Sequence, residues 1–460
     1  MERGRGSSTV IAMPTPRRGQ DRPTGASPVG SVVEMSAAKR SVREQAARHV
    51  YPHRVAFWEE VGIPLVIGRR EGDFMWDMDG HRLYDLHLNG GTFNLGHRNP
   101  EVIAALVAAT EEVDIGNHHF PSVAGAQLGE RFAALTPGEL TYSIFCPSGG
   151  DAIDAAIKSA RRATRRRKVV SFEHGYHGRT GLAGAAGDDS DAAYFLSDQP
   201  DDFLTVPFAD LPALTAVLQG GDVAAVLLET IPATSGFQIP PDEYLVTAAA
   251  LAHEYGALYI ADEVQTGLGR TGRLWAVEGF GVEPDILVTG KGLSGGVYPM
   301  AAAVLNSRAG AWLRERGWGH VATFGGSELG CRVAAKVLEI TTRSSVVENV
   351  QRLARGFGEQ LAAIQAADEF LVEIRQRGLV MGLRFAHPTG AVYMQHQLYQ
   401  RGVWAISAGF DQSVLQFKPS LLMSLESVGD VCDRLAAAMR VARDLDYAVP
   451  RRRPPDADSS

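Results

Sequence analysis

Between residues 100 and 335, short runs of apolar residues alternate with longer segments of helical periodicity. The apolar runs are nearly continuous, which is typical of parallel strands covered on both faces. Helical segments lie between them, such as DAIDAAIKSARRATRRR (151–167) and PDEYLVTAAALAHEYG (241–256). This order predicts an α/β domain. The predicted strands are 140–146, 168–172, 223–229, 257–264, 285–290 and 300–306.

After residue 335 the pattern changes to amphipathic helices with short strands between them. The predicted helices are 346–365 and 428–446, and the predicted strands are 379–385 and 413–424. Short strands also occur within residues 55–97, around a turn in WDMDGHRLYDL. We predict that this N-terminal segment and the C-terminal part form a second, smaller domain that packs on the first.

The predicted organisation has five parts. They are a disordered tail (1–35), the N-terminal segment of the smaller domain (36–99), the large domain (100–335), the C-terminal small domain (336–450) and a disordered end (451–460). The first part is rich in Arg, Gly, Pro and Ser and lacks the apolar centre of a secretory signal. A transit peptide, or an extension preceding a natural start at Met35, are alternatives for it.

Composition excludes several classes of function. The net charge of -8 argues against a nucleic-acid-binding protein. The three cysteines, Cys146, Cys331 and Cys432, are too far apart for a CxxC metal site and too few for a disulfide framework. No apolar run reaches the ~18 residues of a membrane span. We therefore expect a cytoplasmic protein that binds neither nucleic acid nor membrane.

Ligands of parallel sheets bind beyond the carboxyl ends of the strands, so the motifs that follow strands matter most. Ser148, Gly149 and Gly150 follow the first predicted strand, with a helix expected from about Asp151. Small residues before a helix N-terminus can cradle a phosphate. A plain strand–helix turn capped by Ser148 is the alternative.

The segment SFEHGYHGRT follows the second strand and places Tyr176 and His177 at its carboxyl end. Tyr176 could cover a planar cofactor by offset stacking. A core tyrosine beside a surface histidine is the alternative. His174 and His177 could in principle bind a metal ion, but no cluster at ligand spacing completes the site, so we expect no metal.

Two further motifs carry a buried acid and an unusual lysine. Asp262 and Glu263 end an apolar strand, and because adjacent residues point to opposite faces, one carboxylate can face a ligand. A buried acid needs a partner, and a pyridinium nitrogen would be one. Lys291 stands among glycines after another apolar strand, where desolvation would suit a Schiff base. A lysine reaching from a loop to water is the alternative. Together these groups fit pyridoxal phosphate.

The glycines of TGLGRTG also match a dinucleotide-binding loop, at Gly267, Gly269 and Gly272. The triplet starts three residues after the strand and no long helix opens on it, which disagrees with the dinucleotide-binding context. We therefore disfavour an NAD-dependent dehydrogenase.

The chain resembles the class III (subgroup II, ω-type) pyridoxal-phosphate aminotransferases over about residues 60 to 440. The resemblance is carried by ADEVQTGLGRTGRLWAVEGFGVEPDILVTGKGLSGG, PSGGDAIDAAIKSAR, FEHGYHGRT, WDMDGHRLYDLHLNGGTFNLGHRNPEV and TFGGSELGC. It implies the PLP-dependent transferase fold type I, in which a large domain with a mostly parallel seven-stranded sheet joins a smaller α+β domain.

The resemblance also implies roles for single residues. Lys291 resembles the lysine that binds the cofactor aldehyde and moves the proton, and Asp262 the acid that pairs with the pyridinium nitrogen. The remaining implied contacts are Val264 beneath the ring, Gln265 at the 3′-oxygen, Tyr176 on the other face with His177 beside it, Gly149 and Gly150 at the phosphate, Glu229 near the cofactor, and Thr323 at the phosphate of the neighbouring subunit. Active sites shared in this way imply a homodimer.

Three positions depart from the family pattern. Gly150 stands where the phosphate loop usually has Ser or Thr, so one hydroxyl contact is expected to be missing. Thr234 stands where many members have a switching glutamate, and Gln416 where they have an arginine that grips the α-carboxylate. Glutamine cannot replace the charged, bidentate arginine fork. Arg179 and Arg270 are candidate substitutes.

These features predict an aminotransferase that moves an amino group between an amine or amino acid donor and a ketone or aldehyde acceptor. The loss of the arginine–glutamate pair favours substrates of specialised-metabolite or aminosugar biosynthesis. An aminomutase or epimerase of the same family is the alternative. A catalytically inactive relative is disfavoured because Lys291 and Asp262 are both present.

Overall fold

The structure is a computed structural model and describes residues 35–117, 119–187 and 189–443. The end predicted to be disordered (451–460), and all but the last residue of the predicted N-terminal tail, lie outside the described residues.

Fifteen strands are present in the described residues. They are β1 (Ile67–Glu71), β2 (Phe74–Asp77), β3 (Arg82–Asp85), β4 (Leu140–Cys146), β5 (Lys168–Phe172), β6 (Phe203–Val206), β7 (Val223–Glu229), β8 (Leu258–Asp262), β9 (Ile286–Thr289), β10 (Ala301–Asn306), β11 (Leu371–Arg377), β12 (Val380–Phe385), β13 (Val403–Trp404), β14 (Ile406–Ser407) and β15 (Val414–Phe417).

Fourteen α-helices accompany them in the same residues, together with 3₁₀ turns at Ala276–Phe280, Lys291–Ser294 and Ala311–Arg314. The helices are α1 (Ala37–His49), α2 (Pro52–Glu60), α3 (Leu88–Gly91), α4 (Pro100–Glu112), α5 (Val123–Leu135), α6 (Gly149–Thr164), α7 (Gly181–Ala186), α8 (Asp189–Tyr194), α9 (Leu211–Leu218), α10 (Tyr244–Glu254), α11 (Glu328–Thr341), α12 (Ser344–Ala367), α13 (Gly390–Gln400) and α14 (Leu425–Ala442). None of these helices is long and apolar enough to cross a membrane.

The large sheet has seven strands in the order β4-β10-β9-β8-β7-β5-β6. Neighbours from β9 to β6 pair in parallel, whereas β10 runs antiparallel to both β4 and β9. Separate apolar clusters cover its two faces, which explains why the strands lack polar alternation. The predicted α/β class and mostly parallel seven-stranded sheet are confirmed. Strand β6 was not predicted.

Several predicted boundaries need correction. Strand β8 ends at Asp262 rather than at residue 264, because the chain turns there. Only Val414–Phe417 of the predicted strand 413–424 is extended. Helix α6 begins at Gly149 rather than near residue 151, and it ends where Arg165 takes a left-handed φ of 60°. Helix α14 begins at Leu425 because the Ser424 hydroxyl caps the Ser427 N–H.

Two four-stranded sheets, β1-β2-β3-β13 and β11-β12-β15-β14, lie outside the large sheet. Strand β13 pairs in parallel with β3, so the N-terminal segment and the C-terminal part share one sheet. A third apolar cluster, which includes Leu86, Phe357 and Met439, joins the same two parts. The boundaries 99/100 and 335/336 between the two domains stay a prediction.

Candidate active site

The carboxyl ends of β7, β8 and β9 bring two acids and one lysine to one edge of the large sheet. Glu229, the last residue of β7, lies opposite Asp262, the last residue of β8. Lys291 follows β9 after Thr289 and Gly290. Parallel strands place their carboxyl ends together, so residues far apart in sequence meet at this edge.

Asp262 is buried, and protein groups hold both of its carboxylate oxygens. Its Oδ2 lies 2.8 Å from His177 Nδ1, and its Oδ1 accepts the backbone N–H of Val264 at 3.0 Å. The other ring nitrogen of His177, Nε2, is buried with no hydrogen-bond partner among the described residues. The sequence motifs placed His177 only beside Tyr176. The structure places it in contact with the acid, which it orients.

Glu229 is a second buried acid and anchors the loop that carries Tyr176. Its Oε1 accepts the Tyr176 N–H at 2.9 Å, and its Oε2 accepts the Ala233 N–H at 3.2 Å. Burial, together with the charge of Asp262, raises the pKa of Glu229 to about 7, although His177 and the two backbone donors oppose the shift.

Lys291 lies in an electrostatic setting that suits a reactive amine. Burial lowers its pKa from the ordinary value, while the charges of Asp262 and Glu229 oppose that shift. Its backbone has a φ of 42°, in the left-handed region that non-glycine residues rarely adopt. Such strain occurs where the surrounding structure fixes a residue for function. A lysine reaching into bulk water would not have a pKa lowered by burial.

Glycines surround the Val264 side chain and the Lys291 amine. A Cβ atom built on Gly149 would lie 3.1 Å from Val264 Cγ1, and one built on Gly290 would lie 3.5 Å from it. A Cβ on Gly90 would lie 3.1 Å from Lys291 Cε. A side chain at any of these glycines would crowd Val264 or Lys291, and helix α6 begins beside Val264 at Gly149.

Three further residues of the predicted site have different surroundings. The Gln265 Oε1 atom would lie 3.3 Å from a Cβ on Gly90, so Gln265 belongs to the same site as Lys291. Tyr176 is 36% exposed, and the Arg179 guanidinium lies 5.2 Å from its ring centroid. A Cβ on Gly150 would lie 3.1 Å from Thr180 Oγ1, so a threonine hydroxyl stands where a Ser or Thr side chain would have projected.

Thr323 lies in a different environment from these groups. It lines a surface cavity of about 660 Å³ whose lining includes neither Lys291 nor Asp262. Large apolar side chains near it are open to solvent, with Phe120 74% and Trp318 63% exposed. Within one chain, therefore, the structure does not bring Thr323 to the lysine.

The two candidate substitute arginines are both engaged elsewhere. Arg270 is fully buried, and its guanidinium donates to Asn94 Oδ1 and to the backbone oxygens of Leu379 and Pro419. Arg179 forms an ion pair with Asp191 on the surface. A carboxylate contact by either arginine stays a prediction.

Sequence reasoning missed Lys418 and His87. Lys418 is fully buried, and its amine donates to the side-chain oxygen of Gln416. His87 has a buried Nδ1 that finds no hydrogen-bond partner in the described part of the chain, and burial with the charges of Lys418 and Lys291 holds its pKa well below the ordinary range. The available signal was a lysine that follows a buried strand directly and stands two residues after Gln416.

Among the residues that the structure describes, no group of three His, Cys, Asp or Glu side chains is placed to hold a metal ion. The glycines Gly269 and Gly272 take φ of 86° and 87° in a run of turns, and a 3₁₀ turn rather than a long helix follows at Ala276. The geometry instead brings an amine, two acids, an oriented imidazole and a helix N-terminus together at one edge of the large sheet.

Comparison with known proteins agrees with this arrangement. The family model of class III aminotransferases matches residues 57–439. An aminotransferase of Archaeoglobus fulgidus, described as uncharacterized, is 45% identical over 404 residues, which cover 88% of this chain and 95% of that protein.

Solved structures give the same result. The ornithine aminotransferase of Toxoplasma gondii superimposes with a TM-score of 0.81 at 26% identity, over 90% of this chain and 97% of that one. A second structure of the T. gondii enzyme, described as having partial occupancy of PLP at its active site, gives a TM-score of 0.78 at 26% identity, over 89% and 99% of the two chains.

Proposed function

The chain belongs to the class III aminotransferases, and we propose that it transfers an amino group from an amine or amino acid donor to a ketone or aldehyde acceptor. Its cofactor is pyridoxal 5′-phosphate. The observation that carries the proposal is the Lys291 amine, whose pKa burial lowers, in the field of two buried acids. Asp262, one of those acids, is oriented by His177.

The residues present fit this cofactor. The buried Asp262 supplies the negative charge that a pyridinium nitrogen needs. The glycines around Val264 leave room for a flat ring against that side chain, and Gln265 lies within reach of the same space. The α6 N-terminus at Gly149 and Gly150 suits a phosphate, with the Thr180 hydroxyl next to Gly150. Tyr176 is exposed enough to cover the other face of the ring.

When bound, the cofactor supplies an aldehyde that takes up the amino group and a ring that accepts electrons. Lys291 would hold the aldehyde between turnovers and, once released, would move a proton at the substrate carbon with its amine. Desolvation favours the neutral, nucleophilic form of that amine. His177 fixes the Asp262 carboxylate, and Glu229 fixes the Tyr176 loop through its backbone N–H.

A homodimer with shared active sites forms part of the proposal. Phe120, Trp318, Val321 and Phe324 expose 50% or more of their surface around the cavity that Thr323 lines. Apolar side chains concentrated in this way favour burial against a second copy. We infer that Thr323 then reaches the phosphate of the partner's cofactor. The three cysteines of the described residues are free and buried, which supports a cytoplasmic location.

The substrate side favours molecules that do not need an arginine fork. The Gln416 amide donates to the Ala233 carbonyl oxygen and accepts from Lys418. Because an amide is uncharged, it cannot replace a charged arginine fork at a carboxylate. We infer amine and carbonyl substrates of the kind used in specialised-metabolite or aminosugar biosynthesis for one half of the reaction.

The test is a coupled product measurement. Purified enzyme loaded with pyridoxal phosphate is incubated with an amine donor and a keto acid, and both products are quantified. Transamination predicts equal amounts of the carbonyl product and the new amine, with neither formed by the Lys291→Ala variant. Isomerised donor formed without consumption of any acceptor would instead identify an aminomutase or epimerase. No product in either case would contradict the proposal.

A further inference from the structure

The glycine-rich loop TGLGRTG (266–272) lines two cavities that lie apart from the active-site lysine. Their volumes are about 360 Å³ and about 380 Å³. Both linings include Gly272, Arg273 and Val350, so the cavities adjoin and form one groove between the loop and helix α12. Neither lining includes the lysine or either acid of the active site. The loop therefore borders a space that the proposed transamination does not use.

Two glycines give the loop its shape at the groove. Gly269 and Gly272 have φ of 86° and 87°, a backbone conformation that favours glycine. A Cβ atom built on Gly269 would lie 3.1 Å from Leu421 Cδ1 and from Thr341 Cγ2. A Cβ atom built on Gly272 would meet no atom within 4 Å. The loop is therefore packed closely at Gly269 and faces open space at Gly272.

The 360 Å³ end of the groove is mainly apolar. Its apolar side chains are Leu135, Leu274, Val346, Val347, Val350 and Leu421. The carboxylate of Glu278 also belongs to this lining, but its Oε2 already accepts the Trp275 N–H at 2.8 Å. Cavities of a few hundred Å³ with apolar walls are typical sites for small organic molecules. This end suits the hydrocarbon part of such a molecule.

The 380 Å³ end of the groove is cationic, because Arg273, Arg355 and Arg377 line it. Arg377 is engaged, since its Nη2 donates to the Gly279 oxygen at 2.9 Å and lies 3.8 Å from Asp242 Oδ1. Arg273 and Arg355 are exposed, and within the part of the chain that the structure describes neither forms an ion pair or a side-chain hydrogen bond. Like charges that share a cavity repel one another unless an anion lies between them.

Two threonines of the lining have hydroxyls that the fold does not use. Thr271 lines the cationic end, and Thr341, only 2% exposed, lines the apolar end. The Oγ1 atoms of both are buried and have no hydrogen-bond partner among the described residues. Most buried polar groups in proteins are paired. The groove thus combines two arginines and two hydroxyls whose hydrogen-bonding capacity the described chain leaves unused.

We propose that this groove binds a small amphiphilic anion. Its carboxylate or phosphate group lies between Arg273 and Arg355, and its hydrocarbon part fills the apolar end. The planar arginine fork recognises both kinds of anionic group. The assignment goes beyond the proposed function and does not depend on it, because no active-site acid or lysine lines the groove. The loop begins directly after Gln265, so the bound anion contacts a segment that starts in the active site.

The experiment is calorimetric titration of the holoenzyme with octanoate and with octyl phosphate. Acetate, inorganic phosphate and 1-octanol are titrated in parallel, because each carries only the anionic or only the hydrocarbon part. At least one of the two amphiphilic anions is expected to bind with a Kd below about 1 mM, at least about tenfold more tightly than the three partial ligands. The tighter of the two identifies the head group as a carboxylate or a phosphate.

Variants assign the binding to the groove. Arg273→Gln and Arg355→Gln are each expected to raise the Kd about tenfold, since each removes a charged hydrogen-bond donor. Val347→Trp should weaken binding by filling the apolar end. Arg352→Gln is the matched control, because Arg352 is also exposed on α12 but lines neither cavity. Thermal unfolding of each ligand-free holoenzyme checks that the variants fold, and the exposed arginines should be replaceable without loss of stability.

Several results would overturn the assignment. One is a wild type that binds neither octanoate nor octyl phosphate. Another is an affinity for both that is no greater than for acetate, inorganic phosphate or 1-octanol. A third is binding that changes the visible absorbance of the bound cofactor and is unaffected by Arg273→Gln and Arg355→Gln, since the anion would then occupy the active site. None of these results contradicts transamination, which the coupled product measurement tests separately.

Discussion

The two halves of the active site are built in different ways. The cofactor half is formed by the loops that follow five strands of the large sheet, which end at Cys146, Phe172, Glu229, Asp262 and Thr289. The half in which we propose that the substrate binds combines α3, the loop after β7, and β15, which belong to separate sheets or to none. The first half needs only the topology of the sheet, whereas the second depends on how the smaller sheets pack against it.

The two halves also differ in how their charges are balanced. In the cofactor half, Asp262 has His177 and Glu229 has two backbone donors. In the proposed substrate half, Arg270 is bound by an amide and two carbonyl oxygens and Lys418 by an amide oxygen, and no acid of the described residues forms an ion pair with either. A half with matched charges orients a cofactor that stays bound. In the other half, neutral oxygens rather than acids hold the buried basic groups.

The largest effect is expected at Lys291, in the cofactor half. Lys291→Ala should lower kcat at least about 10³-fold, because both the covalent attachment point and the proton carrier are lost. The visible absorbance of the bound cofactor should change as well. Lys168→Ala, at the start of β5, serves as the control and should keep full activity. An active Lys291→Ala enzyme would contradict the proposed role of Lys291 in the cofactor half.

The next largest effect tests whether Asp262 pairs with the ring nitrogen of the cofactor. Asp262→Asn should lower kcat by about 100-fold and weaken cofactor binding, because an uncharged asparagine cannot stabilise the positive charge of the pyridinium nitrogen. Asp222→Asn removes only an exposed ion pair with Lys168 and should change neither quantity. Unchanged kinetics in Asp262→Asn would mean that the acid has a purely structural role.

The third prediction concerns the effect of Glu229 on the pH dependence of the unfolding free energy. Its folded pKa of about 7 exceeds the ordinary value of 4.5, so its contribution to stability is full below pH 4.5 and is lost as the pH rises through 7. Glu229→Gln removes that dependence. The unfolding free energy of the variant minus that of wild type should therefore rise by about 3 kcal/mol between pH 4.5 and pH 8, as measured by denaturant unfolding.

A carboxyl with the opposite pKa shift serves as the control for the sign of this trend. Glu101 is exposed, and hydrogen bonds from Arg343 lower its pKa, so Glu101→Gln should show no rise over the same pH range. A falling or flat difference for Glu229→Gln would mean that burial does not favour the protonated acid.

The smallest effect concerns Gly150 and Thr180. If the Thr180 hydroxyl takes the place of the missing Ser or Thr side chain, Thr180→Val should weaken cofactor affinity about two- to fivefold. Thr110→Val, whose hydroxyl bonds only to the Val107 oxygen, is the matched surface control. Equilibrium dialysis of the cofactor measures both. Equal affinities for both variants would leave the phosphate to backbone N–H groups alone.

Much of the fold and of the cofactor half could be predicted because the signals are local in the sequence. Each buried strand is a continuous apolar run, and each polar residue of interest follows such a run within a few positions. Strand β6 was not predicted because Phe203–Val206 is short and only partly buried. Helix boundaries moved by a few residues because caps such as Ser424 decide them.

The sequence by itself determined the α/β class, the parallel strand ends and the residues that stand on them, because strand period and chain order are properties of short segments. Only the tertiary structure decided that His177 orients Asp262, that the backbone oxygens of Leu379 and Pro419 bind Arg270, and that Gln416 donates to the Ala233 oxygen. These contacts join segments that are far apart in the chain. Their geometry follows from the packing of whole sheets and helices, which no local pattern encodes.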